Sequence, residues 1–237
     1  MTELLAAAVI VFCAYLVRGL AGFGSGLVAV PTLATFSPLS AVVPMVVFLD
    51  YLGSALQGLG NREHVHWREL AWLFPFSMIG IYVGLRVLDG VDADLLRRML
   101  GGFVLCFSVY QLITLPRFEA SRLVALPLGF LGGLVGTLFG TGGPFFIIFF
   151  GVRGLDRQSL RASFACWFLI DGLFRLAGYL YFGYFNGAMV TRLAAAVPVM
   201  LLGLYVGGRI HARLSEVTFK RLISVLLIAS GLILLLR

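Results

Sequence analysis

The sequence predicts an all-α polytopic membrane protein made of two inverted repeats, each a Gly-broken re-entrant hairpin plus three membrane-spanning helices. Three observations predict it. Of the 237 residues, 60% are hydrophobic and only 12% charged, with a mean hydropathy of +1.01. Soluble domains carry about 45–50% apolar and about 25% charged residues. The apolar residues fall in runs near the roughly 20 residues that a helix needs to cross a hydrocarbon core. Two glycine-dense stretches interrupt these runs, and the chain replays itself around them.

The first run covers about Leu4 to Val17 and ends at Arg18. The acidic Met1-Thr2-Glu3 start is unlike a signal peptide's basic end, so this run is expected to stay in the membrane. Gly19-Leu20-Ala21-Gly22-Phe23-Gly24-Ser25-Gly26 follows, leading to Pro31, and Ser37-Pro38 closes the segment. Glycine costs roughly 1 kcal/mol relative to Ala inside a helix, so a straight rod is not expected there. Apolar segments then cover about Leu39–Leu59, Leu70–Leu88 and Leu95–Leu115, separated by the polar loop Gly60–Glu69 and the turn Asp89–Asp94. Pro116–Arg122 is the candidate linker, dividing a first repeat, 1–118, from a second, 119–237, within one integrated membrane domain.

The second half opens with Leu123–Phe139 and the second break, Gly136-Thr137-Leu138-Phe139-Gly140-Thr141-Gly142-Gly143-Pro144. Phe145–Phe150, a basic loop from Arg153 to Arg161, and segments over about Ala162–Phe182, Met189–Ile210 and Phe219–Leu236 follow. A shift of 123 positions brings Pro75 onto Pro198, Gly80 onto Gly203, Tyr82 onto Tyr205, Gly84 onto Gly207, Arg86 onto Arg209 and Arg98 onto Arg221. A shift of 121 brings Asp50 onto Asp171, and Gly19 meets Gly136 with the later glycines following after one gap. Chance matches between apolar helices are Leu and Val, whereas these are Pro, Gly, Tyr and Arg. If each break turns its segment back, each half crosses the membrane an odd number of times and the halves are inverted. Loop arginine then concentrates on one face, with Arg62, Arg68, Arg117, Arg122, Arg153, Arg157 and Arg161 among it. This puts the linker inside and both termini outside a prokaryotic inner membrane.

Catalytic machinery is sparse. His64, His66 and His211 lie in loops, no phosphate-cradling Gly-rich loop with Lys-Ser or Lys-Thr exists, and Cys13, Cys106 and Cys166 match no metal or redox spacing. The cysteines read as small buried residues. The net charge of +7 is spread between apolar segments, which argues against nucleic acid. No enzyme, cofactor or metal site is expected. The bilayer is the expected surrounding, and a homodimer is compatible with the composition. Trp67, Trp72, Tyr179, Tyr181, Tyr184 and Phe185 lie near segment ends, as interfacial belts do.

Charges inside apolar segments stand out: Arg18, Asp50, Asp171 and Arg175. Each costs about 2.5–3.5 kcal/mol on insertion scales and needs a partner or a cavity. Asp171 and Arg175, four apart, are placed to pair, and Asp50 is able to pair with Arg18. One reading makes these structural bridges; another makes Arg18 and Arg175 anion attractors and Asp50 and Asp171 coupling or charge-pair groups. Opened backbone survives in a bilayer only where protein or a cavity covers it. Half-helices starting after Gly26 or after Pro144 would present unpaired N–H groups and a positive dipole end. The candidate substrate-binding set is therefore Arg18, Gly22, Gly24, Ser25, Gly26, Gly140, Thr141, Gly142, Gly143 and Arg175. Such donors suit sulfite, sulfonate or carboxylate oxygens. Gly80 and Gly84, in contrast, read as close helix packing.

Two Gly-rich motifs leading to a Pro, Gly19–Pro31 and Gly132–Pro144, with four apolar segments per half, resemble the TauE/SafE sulfite exporter family. The resemblance covers essentially the whole chain, with Ser25 where a glycine is common and Pro144 directly after the glycines. It implies secondary transport of a small anion, often sulfur-containing, driven by an ion gradient. The expected function is transport of such an oxyanion or organosulfonate by alternating access at a site between two broken helices. A passive anion channel, a carboxylate transporter and a non-transporting assembly subunit are the alternatives.

Overall fold

The computed structural model describes residues 2–58, 62–112, 121–210 and 227–235. Among them every regular element is a helix. The chain runs α1 (Thr2–Ala21), α2 (Ser25–Leu33), α3 (Leu39–Gly58), α4 (Trp67–Gly90), α5 (Ala93–Leu112), α6 (Ala125–Phe139), α7 (Gly143–Val152), α8 (Arg157–Tyr181) and α9 (Gly187–Ile210). Single 3-10 turns lie at Arg62–His64 and Arg122–Val124, and residues 227–235 are helical. Most of the linker, up to Ala120, lies outside the described residues, as do His211, Arg213, Lys220 and Arg221.

Short polar side chains set several helix starts, because they accept from the first amides that have no partner within the helix. The Asp156 carboxylate accepts from Gln158 and Ser159 N–H at 3.0 and 3.4 Å and opens α8. Asp92 accepts from Asp94 N–H at 3.1 Å before α5, and Asn186 from Met189 N–H at 3.0 Å before α9. Six helical segments among the described residues are long and apolar enough to cross a membrane: those of α1, α3, α4, α6 with its preceding turn, α8 and α9. The predicted segment at α5 is a 20-residue helix but is not one of the six. At 9 and 10 residues, α2 and α7 reach roughly 14–15 Å, about half a hydrocarbon core.

The helices group into two compact units. One holds Met1–Val46, Val91–Leu115 and Asn186–Arg237, the other Val47–Gly90 and Pro116–Phe185. Each draws on both halves of the chain. In the first, α1 lies along α9; in the second, α6 lies along α4. Both pairs meet backbone to backbone on glycine. A Cβ on Gly80 would press on the Phe130 carbonyl and stand 2.8 Å from Leu134 N, and one on Gly84 would stand 2.8 Å from Thr137 Cβ. In the other unit, a Cβ on Gly203 would stand 2.7 Å from Phe12 O and 3.1 Å from Leu16 N, and one on Gly207 would stand 3.0 Å from Gly19 Cα. Hydrocarbon gives apolar helices no solvent-driven reason to associate, so small residues that admit close dispersion contact are the usual adhesive.

The two interfaces match contact for contact. Gly80 and Gly203 differ by 123, as the sequence shift requires, and their partners Phe130 and Phe12, Leu134 and Leu16, each differ by 118. The same shift of 118 superposes Gly22 on Gly140 and the start of α2 at Ser25 on the start of α7 at Gly143. No gap is needed: Gly136 corresponds to Arg18, and Gly19 corresponds to Thr137.

Candidate functional site

Each break is built the same way. α1 gives way to Gly22, with φ 85°, whose N–H donates to Arg18 O at 2.6 Å. α6 gives way to Gly140, with φ 64°, whose N–H donates to Gly136 O at 3.0 Å. A side chain at either position would force the left-handed region that only glycine adopts without cost. Three residues separate the rods in each case, and then a short helix starts afresh.

At the second break, the exposed carbonyl end of α6 is closed from α8. Arg175 Nη1 donates to Gly136 O at 3.1 Å, and Tyr179 donates its hydroxyl to Thr137 O at 2.6 Å. A cation at a helix C-terminus opposes the partial negative charge of the last carbonyls. Arg175 also forms the predicted ion pair with Asp171, whose carboxylate accepts from Ser77 Oγ at 2.6 Å. Arg175, Tyr179 and Asp171 of α8 and Ser77 of α4 are all buried, with Asp171 fully enclosed. Gly136 leaves the space that the guanidinium fills, since a Cβ there would lie 2.7 Å from its Cζ. Gly142 is pressed against α6, with its Cβ position 3.0 Å from Gly136 Cα.

The α7 side of this break is different. Thr141 is 2% exposed, and its Oγ1 has no hydrogen-bond partner. Gly143 and Pro144 begin α7; Pro144 has no N–H and the Phe145 N–H donates to Gly142 O at 3.2 Å, which leaves the Gly143 N–H as the first-turn amide with no acceptor one turn back within its helix. Two further buried donors here lack a partner, Arg175 Nε and the Trp167 indole Nε1. An aromatic wall surrounds them: Phe146 stands edge-on to Trp167 at 5.4 Å, and Phe164 and Phe168 lie 3.5 Å from where a Gly143 Cβ would be.

At the first break, Arg18 sits one turn before the end of α1 and donates from Nη1 to Ser25 Oγ at 3.3 Å. Gly24, with φ 97°, caps α2, and Ser25 and Gly26 form its buried first turn. Asp50 is buried on α3, one residue before Tyr51, whose ring contacts Gly172 of α8.

Two expectations are corrected. Tyr179 is no interfacial tyrosine: it is fully buried, because its hydroxyl is needed at the end of α6. Cys13 and Cys106 are exposed on the chain surface and Cys166 is half-buried; apolar side chains facing lipid need no enclosure. Trp67 and Trp72 are exposed, as a belt requires. One cluster escaped the sequence reading. Glu69, at the start of α4, accepts from Arg122 Nε and Arg153 Nε at 3.0 Å each. Arg122 precedes α6 and Arg153 caps α7, so both ends of the α6–α7 pair are tied to one carboxylate.

The family model described as Sulfite exporter TauE/SafE matches residues 7–234. The chain belongs to the TauE/SafE family. It is thus an integral membrane protein of a transporter family. Among similar TauE/SafE-type proteins, one from Cupriavidus necator is named "Probable sulfite/organosulfonate exporter TauE"; it is 26% identical over 89% of this chain and 85% of its own. The "Probable inner membrane transporter protein TsaS" of Comamonas testosteroni is 28% identical over 79% of this chain and 80% of its own. A "Probable membrane transporter protein" of Haemophilus influenzae is 25% identical over 66% and 67%. No solved structure matches this TauE/SafE chain.

Proposed function

We propose that the protein is a secondary transporter of a small anion, a sulfur-containing oxyanion or organosulfonate, working by alternating access. The observation that carries this reading is the second break. There the positive end of the α7 dipole at Gly143, the unengaged Thr141 hydroxyl and the Arg175 guanidinium are all buried beside the break. The local carboxylate, Asp171, is already held by Ser77 and Arg175, so the polar capacity left over is that of donors. An anion with several acceptor oxygens meets that need, and the names of the relatives point to the same chemistry. Gly140, Thr141, Gly142, Gly143 and Arg175 form one proposed substrate-binding set. Arg18, Gly22, Gly24, Ser25 and Gly26 form a second, and Asp50 and Asp171 serve as charge partners or coupling groups.

Re-entrant hairpins are part of the proposal. The shared Glu69 supports a return of α7 to the end from which α6 set out. In the other unit, Leu4 at the start of α1 and Leu33 at the end of α2 line one cavity of about 260 Å³, which supports the same return. A hairpin with three crossings, α5 included, inverts the second half. The bacterial relatives favour an inner membrane, and the arginine distribution favours external termini.

Flux of sulfite and of ethanesulfonate into proteoliposomes tests the reading. Thr141→Val removes a hydroxyl with no protein partner, and a hydrogen bond to a charged group contributes about 1.5–3 kcal/mol. Its KM should rise tenfold or more while the protein remains folded. Absence of flux for sulfite and for any sulfonate tried, with folded wild type, would overturn the proposal.

A further inference from the structure

We infer that Trp167 donates its indole N–H to the transported anion. The inference rests on the anion-transport reading above and adds a residue that the breaks themselves do not contain. On α8, buried residues with polar atoms recur every fourth position: Ser159, Ser163, Trp167, Asp171, Arg175 and Tyr179. Their exposures run from 0 to 6%. Five of the six are engaged. The Ser159 hydroxyl donates to the Asp156 carboxylate, Ser163 Oγ accepts from His66 N–H at 2.9 Å, and Asp171 accepts from Ser77. Arg175 and Tyr179 close the end of α6. Trp167 alone leaves its single polar atom without a partner, at zero exposure.

Indole Nε1–H is a donor and nothing else, and a buried tryptophan normally places it on an acceptor. An indole N–H held at zero exposure without an acceptor is costly, so the position calls for an acceptor that the protein itself does not supply. Trp167 is also well placed for a visitor. Its ring lies edge-on to Phe146, in the first turn of α7, the helix that Gly143 opens. The group two turns on, Arg175, carries the other unengaged N–H of the stripe, its Nε. An oxyanion seated at the start of α7 would accept hydrogen bonds from the indole N–H on one oxygen and from the Thr141 hydroxyl or the Gly143 N–H on others.

Trp167→Phe keeps a flat aromatic ring against Phe146 and removes only the N–H. The wild type and this variant are compared for flux and for binding of sulfite and ethanesulfonate. We expect KM and Kd to rise about tenfold with the thermal midpoint little changed, since the lost bond is to a charged acceptor. A second measurement does not depend on the variant folding. Protein carrying 15N-labelled indole has three side-chain resonances, from Trp67, Trp72 and Trp167, assigned by single substitution of the two exposed residues. The Trp167 resonance should move downfield as sulfite saturates the site. Wild-type flux with an unmoved Trp167 resonance, or with unchanged KM in Trp167→Phe, overturns the assignment of Trp167 alone. Absence of both flux and binding in the wild type overturns the anion reading, and this inference with it.

Discussion

Glycine-to-alanine substitutions at the two helix interfaces test the duplicated packing. An ordinary close C–H···O contact keeps carbon and oxygen about 3.3–3.6 Å apart. The added Cβ in Gly203→Ala would stand 2.7 Å from Phe12 O, so α1 and α9 must separate by about 0.6 Å or more there. Overpacking of this kind costs about 1–3 kcal/mol, against about 1 kcal/mol gained from alanine's helix propensity. The net expectation is a loss of about 1 kcal/mol for Gly203→Ala. For Gly80→Ala the loss should be about 2 kcal/mol, because Phe130 O is closer still and Leu134 N stands at 2.8 Å. Gly102→Ala is the control: it lies within α5 with nothing within 4 Å, and should gain up to about 1 kcal/mol. Reversible unfolding in mixed micelles, followed by circular dichroism, measures all three. Gly80→Ala or Gly203→Ala at or above wild-type stability would refute backbone-to-backbone packing. A large effect at one and none at the other would refute the correspondence of the two interfaces.

Glu69→Gln should loosen both ends of the α6–α7 pair and cost about 2–3 kcal/mol, below the full value for a buried pair because Arg122 and Arg153 are 30% and 21% exposed; unfolding in the same micelles reads it. Tyr179→Phe deletes the 2.6 Å bond to Thr137 O, leaves that carbonyl buried, and should cost about 1–3 kcal/mol. Hydrogen bonding from the Ser159 side chain and from the amides of Gln158 and Ser159 holds the Asp156 carboxyl below its usual range. Its folded pKa is depressed, so its support of α8 is complete at neutral pH and fades only as pH falls through that lowered value. Asp156→Asn should flatten this acid limb in a pH series of thermal midpoints.

Much of this architecture could be read before any coordinate was known, because bilayers impose simple rules. Apolar run length marked the rods and glycine density marked the two stretches where they break; the structure puts the stops at Gly22 and Gly140, both with positive φ. Asp171 and Arg175 were legible as a pair because four residues bring side chains together on any helix. The glycines at 80 and 84 were legible as packing surfaces. What remained hidden depends on which rod lies beside which. Spacing within one helix does not say that Arg175 and Tyr179 would finish a different helix, or that Glu69 would gather two arginines 53 and 84 residues away. Trp167 carries no sequence signal either, since a lone tryptophan in an apolar segment is ordinary until its N–H is seen to lack an acceptor. The gap placed between the glycine motifs had the same origin: Gly19 and Gly136 look alike as letters, yet Gly136 takes the position of Arg18 to make room for a guanidinium arriving from α8.

The marriage of α1 to α9 has a consequence for biogenesis. Between the last residue of α1 and the first of α9 the ribosome must add the whole of 22–186. At roughly 5–20 residues per second this takes on the order of ten seconds or more. The earliest rod therefore waits in lipid, its small-residue seam uncovered, while α4 and α6 are synthesised and can already join. A chain halted at Phe185 would hold one finished unit beside an α1 still without its α9 partner.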